Sequence, residues 1–162
     1  MKISYSWLNE YLEINSDPKD VADILTNIGL EVEGIETFEK VKGGLEGLVI
    51  GEVKTCKKHP GADRLYVTTV DVGENRVLNI VCGAPNVRAG LKVIVAEPGT
   101  TLYKDDNSFL IKKTKIKGID SEGMICAEDE IGMGTSHDGI MVLDNKAPTG
   151  MPIKEYFKIE KD

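Results

Sequence analysis

The apolar positions in the first part of the chain are spaced as in two short helices. Ser4 can cap the first helix, and Asp17 can cap the second with Pro18 at its first position. Gly29 is a suitable stop for the second helix, and the alternation over residues 30–35 predicts a half-buried strand. The apolar faces of the two helices consist of Trp7, Leu8, Tyr11 and Leu12, and of Val21, Ile24, Leu25 and Ile28.

After a glycine-rich boundary at residues 40–47, the pattern changes from that of helices to that of strands. Five strands joined by short turns predict a closed or nearly closed small barrel, and among such barrels the OB-fold frequently binds nucleic acids. The expected fold class is therefore α+β, and mainly β. The predicted strands cover residues 48–56, 65–72, 77–82, 91–96 and 109–117, with a short extended segment at 101–103.

The two ends of the chain are expected to form one domain. Two short helices and one strand cannot bury enough apolar surface alone. Residues 153–157 begin another helix or strand close to the end of the chain. We therefore expect a small, incomplete α/β domain made of residues 1–39 and 151–162, interrupted by an OB domain at residues 40–150.

The charge of the chain is concentrated in its first part. Residues 1–39 contain two lysines and nine carboxylates, so this segment carries the whole net charge of −7. An acidic average does not exclude nucleic-acid binding, because the local patch is what meets phosphate. No apolar run approaches the ~18 residues of a membrane helix, and the chain does not start with an apolar signal core. We expect a cytoplasmic protein with no membrane partner.

The sequence predicts no catalytic residue and no metal site. Cys56, Cys82 and Cys126 are widely spaced and form no C-x-x-C pair, which favours buried free thiols over disulfides or zinc. Cys126, His137 and Asp138 could in principle form a hydrolase site, but no nucleophile motif or oxyanion turn accompanies them. No set of residues has the spacing of metal ligands.

The segment IVCGAPNVRAG at residues 80–90 indicates a rigid turn between two strands. Pro85 restricts the backbone, while Gly83 and Gly90 allow it to turn. The segment does not match a phosphate-binding loop, because no lysine and hydroxyl pair follows Gly90. We expect a structural turn in which Asn86 joins loops by side-chain hydrogen bonds.

Basic residues occur in three places on the predicted barrel. One group of basic residues flanks residues 59–63. A second group occupies alternate positions of the last predicted strand and so shares a face. One further basic residue projects from the turn at residues 80–90. These cations could follow a phosphate backbone, or they could form a solvated strand edge. Tyr66, Tyr103 and Phe109 are the only aromatic residues of this region, which disfavours an extensive base-stacking platform. The candidate phosphate-binding residues are Lys57, Lys58, Arg64, Arg88, Lys113, Lys115 and Lys117.

Three ordered motifs resemble the tRNA-binding OB domain of the EMAP-II type. They are HPGADRL at residues 59–65, VCGAPNVRAG at 81–90 and KGIDSEGMIC at 117–126. The opening MKISYSWLNEYL, with GLEVE at 29–33, is similar to the bacterial phenylalanyl-tRNA synthetase β subunit. The motif residues expected to be structural are His59, Pro60, Asp63, Gly83, Pro85, Asn86, Gly90, Ser121, Gly123 and Met124.

The resemblance implies that the chain is an N-terminal fragment of a longer β subunit. The parent would join phenylalanine to its tRNA with ATP and Mg²⁺ as an α₂β₂ assembly, with the aminoacylation site on the α subunit. The chain itself is then expected to be a non-catalytic tRNA-binding module without a cofactor. Its partners would be tRNA, specifically that for phenylalanine, the α subunit and the remaining β domains. The alternative is a structural module that docks proteins and contacts little RNA.

Overall fold

A computed structural model of the chain describes residues 1–39, 41–43, 45–104 and 107–159. Contacts between residues divide it into two compact units, one made of the residues before position 41 and one of residues 41–159. No helix among the described residues is long and apolar enough to cross a membrane.

The first unit contains the two predicted helices, α1 (Tyr5–Tyr11) and α2 (Pro18–Asn27). The Ser4 hydroxyl accepts a hydrogen bond from Trp7 N at 3.0 Å, and the Asp17 carboxylate accepts one from Lys19 N at 2.9 Å. Neither helix contains a buried residue. The prediction of a strand at residues 30–35 is wrong, because a strand requires a hydrogen-bonded neighbour and the described residues provide none there.

The second unit is built mainly of antiparallel strands. The strands are β1 (Leu48–His59), β2 (Ala62–Asp71), β3 (Val77–Cys82), β4 (Lys92–Ala96), β5 (Thr101–Lys104), β6 (Asn107–Leu110), β7 (Thr114–Ile116), β8 (Ile119–Ser121), β9 (Met124–Ile125) and β10 (Val142–Leu143). A 3₁₀ turn covers Asp129–Ile131, and a short helix, α3, covers Ile153–Tyr156.

The main sheet has the order β10-β4-β1-β2-β3, and β9 also pairs with β4. Hairpins β5–β6 and β7–β8 form two smaller sheets. The four predicted strands that correspond to β1 to β4 are confirmed. The fifth, at residues 109–117, is not one strand. Ile111 is buried, and its backbone bonds to Thr100 and Gly99, which separates β6 from β7.

The end of the described chain packs on the first residues of β1. Ile50 N donates to Met151 O at 2.9 Å, Gly150 N donates to Ile50 O at 2.7 Å, and the Ile153 side chain is fully buried. The described residues of the segment 151–162 therefore contribute to the core under the sheet. Residues 160–162 lie outside the described residues, as do residues 40, 44, 105 and 106. The shared domain of residues 1–39 and 151–162 stays a prediction.

Glu52 on β1 is held between two lysines, and this arrangement gives the stability a pH dependence. Lys92 Nζ lies 2.8 Å from one carboxylate oxygen and Lys54 Nζ lies 2.9 Å from the other. The hydrogen bonds from Lys92 and then Lys54 lower the pKa of Glu52 from 4.5 to about 2. Because the folded pKa is lowered, the stabilisation is complete above the unfolded value and is lost as the pH falls through the folded value.

We expect Glu52→Gln to remove an acid-dependent part of the stability. In urea unfolding between pH 5 and pH 2, the wild-type chain should lose about 1 to 2 kcal/mol more than the variant, after allowance for the partial exposure of the carboxylate. If the free energies of unfolding of the two proteins change with pH in the same way, the pairs with Lys54 and Lys92 do not stabilise the fold.

Candidate nucleic-acid interface

Two tight turns meet at one end of β1. The first consists of Pro60 and Gly61, because His59 pairs directly with Ala62 across the β1–β2 hairpin. The predicted loop at 59–63 is thus a two-residue turn. The second joins β7 to β8 through Lys117 and Gly118, whose φ angles are +50° and +89°. Two successive positive φ values favour glycine at the second position, as found here.

His59 fastens these two turns to each other. It is buried, and its Nδ1 accepts a hydrogen bond from Gly61 N at 3.0 Å. Its Nε2 lies 3.2 Å from Ile116 O in β7. Since Nδ1 accepts from a backbone N–H, the proton must lie on Nε2, which donates to the carbonyl. The ring is therefore a structural bridge between the hairpins.

Removing the His59 ring is expected to destabilise the second unit. His59→Ala leaves Gly61 N and Ile116 O without their partner, and the free energy of unfolding should fall by about 2 kcal/mol. His137→Ala is the control, because that side chain is 68% exposed and its partner, Asp129, is also paired with Lys104. Its loss should cost less than about 1 kcal/mol. Equal losses in denaturant unfolding would contradict the bridging role of His59.

Four of the predicted cations surround these two turns, and we call them the tip cations. Lys57 and Lys58 lie near the end of β1, and Arg64 lies near the start of β2. Neighbouring residues of a strand point to opposite faces, so Lys57 and Lys58 extend to the two sides of the hairpin. The fourth is Lys117 in the adjoining turn. All four are exposed, and none forms an ion pair within the described residues.

The two other predicted lysines of this region already have carboxylate partners. Lys113 Nζ lies 2.8 Å from Glu122, and Lys115 Nζ lies 3.6 Å from Asp120. The bond from Lys113 also holds the pKa of Glu122 below its usual value. The predicted alignment of Lys113, Lys115 and Lys117 along one strand is wrong, because β7 covers only Thr114–Ile116. Exposed pairs of this kind are weak, so both lysines could exchange a carboxylate for a phosphate.

Arg88, the remaining predicted cation, is exposed in the turn after β3. Asn86 fixes this turn to a distant loop, since its Nδ2 donates to Ile140 O and its Oδ1 accepts from Ile140 N, both at 3.0 Å. This is the loop-joining role expected of Asn86. Gly90 has a φ of +86°, as a turn glycine should. Gly83 does not, and a Cβ there would only touch Leu65 at 3.4 Å, so the backbone does not need glycine at position 83.

The third motif connects β3 to β4. Ser121 is buried, and its hydroxyl accepts a hydrogen bond from Val81 N at 3.1 Å. Glu122 N donates to Asn79 O at 2.7 Å. Gly123 has a φ of +150°, and a Cβ at this position would lie 2.7 Å from the backbone oxygen of Ala96. These residues hold the turn between β8 and β9 against its two neighbouring strands, β3 and β4.

Cys126, His137 and Asp138, the residues of the possible hydrolase site, do not form a catalytic arrangement. Cys126 is fully buried, and this burial raises the pKa of its thiol, so it is not available as a thiolate. His137 bonds to Asp129 at 2.9 Å rather than to Asp138. All three cysteines are free, as expected. Among the described residues, no group of three or more His, Cys, Asp and Glu side chains could hold a metal ion.

A groove of about 530 Å³ opens beside the turn at residues 83–85, and the sequence did not reveal it. Phe109 and Lys112 line it, although neither was a candidate binding residue. The walls come from segments that are far apart in the chain, so no local pattern could have indicated them. The only available signal was that Phe109 is one of few aromatic residues in this unit.

Comparisons with known proteins identify relatives over the whole chain. A sequence model of the family described as "Putative tRNA binding domain" matches residues 48–152. The phenylalanine–tRNA ligase β subunit of Porphyromonas gingivalis is 57% identical over 162 residues, covering 100% of this chain and 20% of the relative. The corresponding subunit of Salinibacter ruber is 45% identical over 163 residues, covering 96% and 19%. The predicted resemblances to a tRNA-binding domain and to these subunits are confirmed. The chain spans about a fifth of the length of the curated relatives it matches.

Two solved structures are also similar to the chain. The C-terminal domain of Plasmodium vivax p43 has a TM-score of 0.44 and 21% identity, covering 64% of this chain and 56% of that one. A MetRS related protein from Pyrococcus horikoshii has a TM-score of 0.45 and 22% identity, covering 64% and 84%.

Proposed function

The chain belongs to the family of putative tRNA-binding domains, and from this premise we propose that it binds the phosphate backbone of tRNA as a non-catalytic module of a phenylalanine–tRNA ligase β subunit. The observation that carries this proposal is the family match over residues 48–152, joined to exposed, unpaired cations at one end of the matched region.

We propose that the matched region is a five-stranded barrel of the OB type. In support, β1 pairs with both β2 and β4, and β9 pairs, beside β10, with the edge of β4 that is opposite β1. The bond from Glu122 N to Asn79 O then links the turn between β8 and β9 to β3, so the strand order β9-β4-β1-β2-β3 almost closes on itself. Barrels of this type bind oligonucleotides across their sheet and loops.

The proposed contacts with RNA fall into two groups. The tip cations, and Arg88 on the neighbouring turn, are exposed and form no ion pair among the described residues, so they can bind phosphates directly. Lys113 and Lys115 would join them by leaving Glu122 and Asp120. The motif residues His59, Asn86, Ser121 and Gly123 would act through the backbone that they position, rather than by contact. Binding of this kind reads shape and charge more than sequence.

The activity of the longer protein is also a proposal. The relatives are named as ligase subunits, so we propose that the parent attaches phenylalanine to its tRNA with ATP and Mg²⁺ in the cytoplasm. We propose that ATP and Mg²⁺ are bound by other parts of the assembly, including an α subunit.

A titration of the chain with tRNA tests the proposal. Fluorescence anisotropy at about 50 mM salt should give a dissociation constant in the micromolar range and a steep loss of affinity as salt is added, as for other backbone-directed binding. An unstructured polyadenylate of equal length is the comparison RNA. A chain that binds neither RNA at low salt, or binds the two with equal affinity, would contradict the assignment.

A second candidate is a protein-docking function of the first unit. Large apolar side chains there are strongly exposed, with Trp7 at 53%, Tyr11 at 70% and Ile28 at 69%. Such side chains, set in a segment with a charge of −7, suit an apolar and basic partner surface. The partners proposed are the α subunit or the remaining β domains. Capture of these by the wild-type chain, and not by a Trp7→Ser and Tyr11→Ser variant, would support docking.

A further inference from the structure

The groove beside the turn at residues 83–85 has the size and lining of a small ligand site. Its volume of about 530 Å³ lies within the range of roughly 300–1,000 Å³ that ligand pockets occupy. Its lining includes Pro85 in the turn after β3, Phe109 in the β5–β6 hairpin and Met124 in β9. Apolar side chains thus surround a space that is open to solvent.

Phe109 gives this space a surface on which a flat ring can stack. Its side chain is 38% exposed, whereas Leu102, its partner across the hairpin, is buried in the core. Exposed aromatic rings in nucleic-acid-binding barrels stack on unpaired bases. Because one phenylalanine lines the groove, the space suits one base rather than a run of stacked bases.

The charged groups that line the groove differ in sign. Lys112 is exposed and could meet a phosphate outside. Glu130 is half-buried, and its Oε2 already accepts a hydrogen bond from Ala127 N at 2.8 Å. Its Oε1 has no partner among the described residues. The third group, His137, is tied to Asp129 by its Nδ1. A carboxylate in the lining of the groove disfavours a phosphate beside it and favours a ligand with N–H donors.

We propose that this groove binds one unstacked base of a tRNA, with a preference for guanine. The proposal rests on the proposed function and names the chemical group that the module would read. Guanine presents two neighbouring donors, N1–H and the N2 amino group, to a single carboxylate. Adenine and cytosine present an acceptor beside their donor, and uracil presents acceptors on both sides of its one donor. Phe109 would stack on the base, Glu130 would accept from its edge, and Lys112 would pair with the adjoining phosphate.

Short single-stranded RNAs test this directly. The chain is titrated with U-rich hexanucleotides that carry G, A, C or U at the third position, with fluorescence anisotropy as the readout. The wild-type chain should bind the G-containing RNA about fivefold or more tighter than the all-U RNA, as expected for a bidentate contact. Phe109→Ala should lose about fivefold or more in affinity for every hexanucleotide, as expected for one stacked base.

Glu130→Gln separates recognition of the base from the fold. Glutamine keeps an oxygen that can accept from Ala127 N, yet it removes the negative charge, so the preference for G should disappear while the affinity for the all-U RNA is retained. Val142→Ala is the matched control, because it truncates a 44% exposed apolar side chain that does not line the groove. It should change no hexanucleotide affinity.

Three results would overturn the inference. They are no binding of any hexanucleotide, equal affinity of the wild-type chain for all four, or unchanged affinity in Phe109→Ala. If tRNA still binds in the parallel titration, only this inference fails and the proposed function stands. If Phe109→Ala loses binding to the remaining ligase subunits while its affinity for RNA is unchanged, the groove is a protein-docking site and the inference is wrong.

Discussion

Replacing Lys57, Lys58 and Arg64 together by glutamine is expected to lower the affinity of the chain for tRNA by about two orders of magnitude at 0.1 M salt. Each phosphate contact contributes a slope of roughly 0.7 to 0.9 in a plot of log affinity against log salt. The triple variant should therefore have a slope that is shallower by about 2 to 3. None of the three side chains forms an ion pair within the described residues, so the fold should not change.

The control for this experiment removes the same number of charges elsewhere on the second unit. Lys42, Lys146 and Lys158 belong to the segments beside the first residues of β1, at the other end of that twelve-residue strand. At physiological salt the Debye length is about 8 Å, so their replacement by glutamine should leave the slope almost unchanged. Equal losses in the two triple variants would mean that tRNA responds to net charge alone and that the tip is not a site.

Gly123→Ala is expected to cost about 3 kcal/mol of folding free energy, more than the loss of the His59 ring. A new Cβ would lie 2.7 Å from Ala96 O, which is backbone and cannot move aside as a side chain would. The φ of +150° adds strain for any residue with a Cβ. The midpoint of urea unfolding should fall with little change in the slope of the transition.

Gly90→Ala separates the two causes. Gly90 also has a left-handed φ, of +86°, but nothing lies within 4 Å of the position of its Cβ. Its substitution should therefore cost only the conformational part, about 1 kcal/mol. If Gly90→Ala destabilises the protein as much as Gly123→Ala does, close packing against Ala96 is not what requires glycine at position 123.

The parts of the fold that local chemistry decides could be predicted from the sequence. Ser4 and Asp17 cap their helices through their own side chains, so the two helix starts were correct. The apolar runs of β1 to β4 face the core and were equally clear. Residues 30–35 and 109–117 also have patterns typical of strands. Whether these segments form strands depends on residues that are distant in the chain. The carbonyl oxygen of Thr100 accepts a hydrogen bond from Ile111 N, and this contact divides residues 109–117 between β6 and β7.

The candidate site could be predicted only as a set of residue types. A lysine-rich pattern identifies cations, but it does not show which of them are already neutralised. Lys113 pairs with Glu122 because β7 and β8 form a hairpin, and this contact is tertiary information. His59 was recognised as a motif residue, while its bond to Ile116 O emerged only when the two turns were placed together. The groove beside Phe109 was missed because several separate segments build it.

A hydrogen-exchange footprint of tRNA on the chain tests the central claim most directly. The chain is labelled alone and with saturating tRNA at low salt, and amide protection is read along the sequence. We predict new protection at residues 57–64 and 113–118, the two turns that His59 joins, and at residue 88. Protection confined to residues 142–159 or to residues 1–39, with no change at the two turns, would contradict the claim that the tip cations bind tRNA.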